Sequence, residues 1–246
     1  MAHVEITDDG PVRTVALNRP EVRNAFDETT IRELTEAFGN VTARVVVLRG
    51  NGPVFCAGAD IAWMQRMADS PNNLADARAF AGMLALVDAC PVPLVGVAHR
   101  AAFGGAIGLL AACDSVIAAP DTVFRFSEGR LGLAPAVISP YVVPKIGAGA
   151  ARHLFLSARP FDAAAARDLG LVHEVADDVD AALAALVEDI LASGPEALRA
   201  SKALVKAIAP PPTLDAAAIL AAARASDEAR EGFSAFREKR SPRWAA

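Results

Sequence analysis

Three short stretches hold residue types suited to acid–base or anion chemistry. Ala57-Gly58-Ala59-Asp60 and Phe103-Gly104-Gly105-Ala106 each follow an apolar run and each open a helical pattern. A helix start leaves backbone N–H groups without partners, and its dipole favours negative charge there. Glycine lets a ligand come close to that backbone. Two such ends aimed at one point make an oxyanion hole built from backbone alone; otherwise each loop is only a tight strand-to-helix turn. The third stretch, Phe124 to Pro135, sets Glu128 in an apolar, glycine-bearing segment. Its carboxyl is either partly desolvated, with a pKa raised into the acid–base range, or paired at the surface with Arg125 or Arg130.

Other reactive types are less suggestive. Cys56, Cys90 and Cys113 have neither zinc-ligand nor CxxC spacing and are expected to be buried, reduced thiols. His3, His153 and His173 show no ligand spacing, so no metal is expected.

The elements that must position these stretches follow from the pattern. Val4–Thr7 and Arg13–Leu17 read as a hairpin around Asp8-Asp9-Gly10-Pro11. Helical spacing covers Glu28–Phe38, Ile61–Met67, Asn73–Ala89 and a segment from Gly104-Gly105 to Ala112. Val45–Leu48, Leu94–Ala98, Ser115–Ala118 and Thr122–Phe126 read as strands, with a further strand-like run at Leu171–Val175. The recurring order of strand, glycine loop and helix predicts parallel strands with helical crossovers. A helix is predicted from Gly194-Pro195 to Ile208, and Pro210-Pro211-Pro212 is a stiff break before the last helices.

Composition bounds the function. The 246 residues are 53% hydrophobic and 22% charged, which describes a packed globule. A net charge of −5 argues against binding nucleic-acid polymers. No run reaches the ~18 apolar residues of a membrane span, and the first residues do not resemble a signal peptide. A cytoplasmic α/β protein is expected. The 55 alanines crowd the chain after Ala163, where helices dominate.

Together these stretches resemble the enoyl-CoA hydratase/isomerase (crotonase) family. The likeness rests on Leu17-Asn18-Arg19-Pro20 with Arg23-Asn24-Ala25, on Phe55–Asp60, on Pro93–Asp114 around Gly104-Gly105, and on Phe126–Pro135. Gly170-Leu171-Val172 and Phe236 to Pro242 extend it over nearly the whole chain. It implies a spiral of ββα units over residues 1–190, carrying an acyl-CoA site, and a helical oligomerisation region over 191–246. A trimer or a dimer of trimers is implied, with coenzyme A as part of the substrate and no other cofactor.

The resemblance implies that the N–H groups of Ala59 and Gly105 hold a thioester oxyanion and that Glu128 is an acid/base. Arg23, Asn24, Ala25, Ala57, Gly58, Asp60 and Ile61 would line the coenzyme A path, and Phe236 and Lys239 would reach it across a subunit boundary. The family's first glutamate falls at Gly108, which has no side chain for acid–base work. Glycine there, with Leu131–Pro135 and Ile138–Val143, is similar to bacterial 3-methylglutaconyl-CoA hydratases. The expected reaction is therefore hydration or dehydration of a branched enoyl-CoA, as in leucine or fatty-acid breakdown. Isomerisation, decarboxylation and non-catalytic acyl-CoA binding are the alternatives. His99-Arg100 departs from the family's usual glycine: Arg100 either holds a substrate carboxylate or a phosphate, or is a surface or inter-subunit arginine. His99 is either a base or structural.

Overall fold

The computed structural model describes residues 2–209 and 214–245. The first strands, β1 (Val4–Asp9) and β2 (Val12–Leu17), form an antiparallel hairpin in which Val4 faces Leu17 and Asp9 faces Val12. Gly10 turns the chain with φ 53°, a conformation glycine adopts without strain. The helix α1 (Glu28–Gly39) follows, capped by Asp27, whose carboxylate accepts from the N–H groups of Thr29 and Thr30. β3 (Val45–Gly50) then joins β2 in parallel.

Two helices, α2 (Ile61–Ala68) and α3 (Asn73–Asp88), lead to β4 (Leu94–Ala98). The chain thereafter alternates between two sheets. β5 (Ala101–Phe103), α4 (Gly105–Ala111), β6 (Ser115–Ala118) and β7 (Val123–Arg125) are followed by the kinked α5 (Ser139–Ser157). β8 (Phe161–Asp162), α6 (Ala163–Asp168) and β9 (Glu174–Val175) complete the last turn. The larger sheet has the order β1-β2-β3-β4-β6-β9 and the smaller one β5-β7-β8. From β4 onward each winding of the spiral adds a strand to both sheets, as β4 with β5, β6 with β7 and β9 with β8.

The central strands are apolar on both faces because both are covered. Val46, Leu48, Leu94 and Val116 face the main core, while Val45, Val95 and Ile117 face α7 (Val179–Leu191) through Leu183, Leu186, Val187 and Ile190. Next come α8 (Pro195–Ile208), α9 (Ala216–Arg224) and α10 (Asp227–Arg237). The last two return to pack on α2 and α3, whereas Leu204, Val205 and Ile208 of α8 stay exposed.

Several expectations need correction. The run Leu171–Val175 pairs only at Glu174–Val175, because Leu171 and Val172 are buried and donate their N–H groups to Ala166. The 19-residue helix α5 has no counterpart in the sequence reading, because its Pro and Gly content breaks the apolar period; Gly147 carries the kink at φ 75°. The Pro210-Pro211-Pro212 break lies outside the described residues. All three cysteines are buried and free, and burial pushes the thiols of Cys56 and Cys113 up to about 12.

Candidate active site

The two glycine loops meet. Phe26 bridges to Ala59: the Phe26 N–H donates to the Gly58 carbonyl and the Asp60 N–H to the Phe26 carbonyl, both at 2.9 Å. Gly58 has φ 92°, and a Cβ there would lie 2.6 Å from the Phe103 carbonyl oxygen. Only glycine permits that approach, which sets the start of α2 beside the start of α4. Gly105 is as tightly placed, since a Cβ on it would meet the rings of Phe26 and Phe80. Among the described residues, the backbone N–H groups of Ala59 and Gly105 have no hydrogen-bond acceptor. Two unspent donors therefore lie in adjoining loops.

Glu128 begins a 3-10 turn, Glu128–Leu131, just after β7. Its Oε1 lies 3.1 Å from where a Cβ on Gly104 would stand, next to the Gly105 N–H. Among the described residues its Oε2 is buried without a hydrogen-bond partner, and no carboxylate–guanidinium pair with Arg125 or Arg130 forms. The surface ion pair is thus excluded. Desolvation raises this carboxyl to about 7, where it can both give and take a proton near neutral pH.

These groups line a cleft of about 1010 Å³. Its walls are mostly apolar, from Ile61, Met64, Phe80, Leu133, Val137, Ile138 and Leu220, as suits a small-molecule site with a few fixed polar groups. The C-terminal chain forms one side of the mouth through Phe236, Arg240, Pro242 and Trp244. That segment is fastened by Glu231, which accepts from Arg240 Nη1 at 2.6 Å, Arg240 Nη2 at 3.1 Å and the Arg243 N–H at 2.9 Å.

The structure brings Arg23, Ala25, Ala57, Gly58, Ala59, Asp60, Ile61, Gly105, Glu128 and Phe236 to this cleft. The carboxylate of Asp60 is engaged as the cap of α2, accepting from the N–H groups of Ala62 and Trp63. Five other candidates fall elsewhere. Asn24 is buried: its Nδ2 donates to the carbonyls of Asn51, Val54 and Phe55, and its Oδ1 accepts from the Arg19 N–H. Its side chain locks the loop that carries Arg23 and does not line the cleft. Lys239 is exposed and also off the cleft wall. Arg100 is exposed and paired with Asp121 at 3.1 Å. His99 lies 3.1 Å from the Gly52 carbonyl, beside a separate shallow depression. Gly108 is buried under Ile138.

Sequence reasoning overlooked Ile138, Arg125, Arg130 and Trp244 as cleft residues. The alternation of β7 carried a signal for Arg125, since its neighbours Phe124 and Phe126 are both buried.

The family model described as enoyl-CoA hydratase/isomerase matches residues 8–246. The chain is 37% identical to an enoyl-CoA hydratase from Mycobacterium avium of known structure, covering 99% of both chains with a TM-score of 0.87. It is also 37% identical to an enoyl-CoA hydratase from Shewanella pealeana, over 98% of this chain and 96% of that one, with a TM-score of 0.82. The mouse mitochondrial enoyl-CoA hydratase domain-containing protein 2 is 32% identical over 95% of this chain and 84% of its own length.

Proposed function

The chain belongs to the enoyl-CoA hydratase/isomerase family, and from that premise we propose that it adds water to an enoyl-CoA with Glu128 as its one side-chain acid/base. The observation that carries this is the Glu128 carboxyl, whose Oε2 is buried with no hydrogen-bond partner among the described residues, beside two backbone N–H groups without acceptors there. The Glu128 carboxylate takes a proton from water while the water oxygen bonds to the β-carbon. The electron pair of the double bond moves onto the thioester oxygen, where the N–H groups of Ala59 and Gly105 stabilise it. The protonated Glu128 then returns its proton to the α-carbon. The reaction is redox-neutral, and coenzyme A enters as part of the substrate.

The proposal extends to a branched acyl group such as that of 3-methylglutaconyl-CoA. What supports it is the likeness of Leu131–Pro135 and Ile138–Val143, with glycine at 108, to hydratases of that substrate. It also extends to a trimer or a dimer of trimers, supported by the exposed Leu204, Val205 and Ile208 of α8.

The single carboxyl favours a second reading, isomerisation, in which Glu128 moves one proton between carbons and no water is used. Incubation with a panel of enoyl- and carboxyacyl-CoAs, followed by mass spectrometry, separates the cases. Gain of one water supports hydration, and an unchanged mass with a shifted double bond supports isomerisation. Loss of carbon dioxide supports decarboxylation, and thermal stabilisation without product supports binding alone.

A further inference from the structure

Arg224, near the end of α9, is fully buried. Its Nη1 donates to Asp76 Oδ2 on α3 at 2.6 Å, its Nη2 lies 3.1 Å from Met64 Sδ, and its Nε has no acceptor among the described residues. The guanidinium carbon sits 4.7 Å from the centre of the Trp63 ring, and Trp63 Nε1 donates to the other oxygen of Asp76. A buried charge with one unsatisfied N–H costs more than an apolar side chain of similar size, so fold stability alone gives a poor account of it.

The contacts continue inward. Trp63 packs against Phe26, with ring centroids 6.4 Å apart. The Phe26 backbone bridges to Ala59, and its ring lies directly under Gly105. From Arg224 the line of contact thus runs through one indole and one phenyl ring to both N–H groups of the oxyanion hole. We infer that Arg224 is a positioning residue, through which the C-terminal helices set the geometry of the Ala59 and Gly105 N–H groups. This rests on the oxyanion-hole reading above. Arginine suits the task because its flat guanidinium stacks on the indole while its edge holds Asp76; lysine has no flat group that could do both at once.

The test reads the hole itself. Bound butyryl-CoA, labelled with carbon-13 at the thioester carbonyl and lacking a double bond to react, reports hydrogen bonding as a lowered infrared carbonyl stretch. The wild-type protein is compared with Arg224→Lys and Arg224→Met by this shift, by the affinity for butyryl-CoA and by turnover. Arg224→Lys keeps the charge beside Asp76, so it supplies folded protein even where Arg224→Met does not. The expected result for Arg224→Lys is a reduced carbonyl shift and a kcat lowered about tenfold, or about 1.4 kcal/mol, with affinity changed less than threefold. A full wild-type shift and kcat in Arg224→Lys overturn the inference alone. Loss of kcat that only follows the unfolded fraction, with the shift intact, also overturns it. Absence of any shift in the wild-type protein overturns the oxyanion-hole reading and this inference with it.

Discussion

The side chain of Ile138 stands where any side chain at Gly108 would have to grow. An added Cβ would lie 2.9 Å from Ile138 Cβ, closer still to its Cγ2, and 3.5 Å from Leu84 Cδ1. Glycine at 108 is therefore more than a missing glutamate, because its neighbour has taken the space. A carboxyl cannot be restored here by one substitution.

Gly108→Ala is expected to destabilise the fold by about 1–3 kcal/mol through overpacking. Adding Ile138→Ala should relieve the clash, so the double variant should lose less than the two single losses together. Thermal denaturation of the four proteins measures this, and strict additivity would show that the two residues do not compete for space.

Glu128→Gln is expected to lower kcat at least about 100-fold, the usual scale for a positioned acid/base. Butyryl-CoA should still raise the melting temperature of the variant, because the backbone donors and apolar walls remain. Wild-type turnover in Glu128→Gln would remove Glu128 from the mechanism.

Burial raises the Glu128 carboxyl to about 7, with consequences for both activity and stability. Water activation needs the carboxylate, so kcat/KM should rise with pH through about 7. The folded state holds this proton where the unfolded chain has released it. Stability from Glu128 is thus complete below the ordinary glutamate pKa of 4.5 and is lost as pH rises through about 7. The melting temperature of Glu128→Gln, relative to wild type, should therefore be higher at pH 8 than at pH 5. A pH-independent difference would place the carboxyl in water.

Asn24→Ala is expected to cost about 2–4 kcal/mol, since it strips a donor from buried carbonyls. It also puts alanine at φ 56°, a left-handed conformation that asparagine tolerates better. The loss should appear in urea denaturation, while the fraction still folded should keep its kcat.

Glu231→Ala should release the clasp on Arg240 and Arg243. The expected signature is a higher KM for acyl-CoA, because the clasp holds the C-terminal chain that lines one side of the cleft. Steady-state kinetics on the purified variant would show it.

The strand, glycine loop and helix order was legible because each loop carries its own turn chemistry. Leu94–Ala98 falls where its apolar run predicts, and α8 ends at Ile208 as its spacing predicts. Glu128 was legible as a carboxyl in an apolar setting, but its lack of a partner was not. Arg125 and Arg130 stand near it in sequence, and only the fold shows that neither turns to it. Asn24 was misleading for a similar reason. The resemblance implies that it lines the coenzyme A path, yet its partners are carbonyls brought from Asn51, Val54 and Phe55. Ile138, the residue before α5, carries no local signal, since what matters is its packing on a glycine of α4.

The cleft also poses a folding problem. Its floor comes from Ala57–Met64 and Phe80, whereas its mouth comes from Phe236 to Trp244, and Arg224 closes on Trp63 across most of the chain. Contacts of such long sequence separation carry a large loop-closure cost and form late. Before they form, Phe80, Ile138 and their neighbours face water, so a half-folded chain exposes the very surface that later binds acyl groups. Refolding should therefore be most prone to aggregation just before activity returns, and a coenzyme A thioester present at that stage should act as a folding aid as well as a substrate.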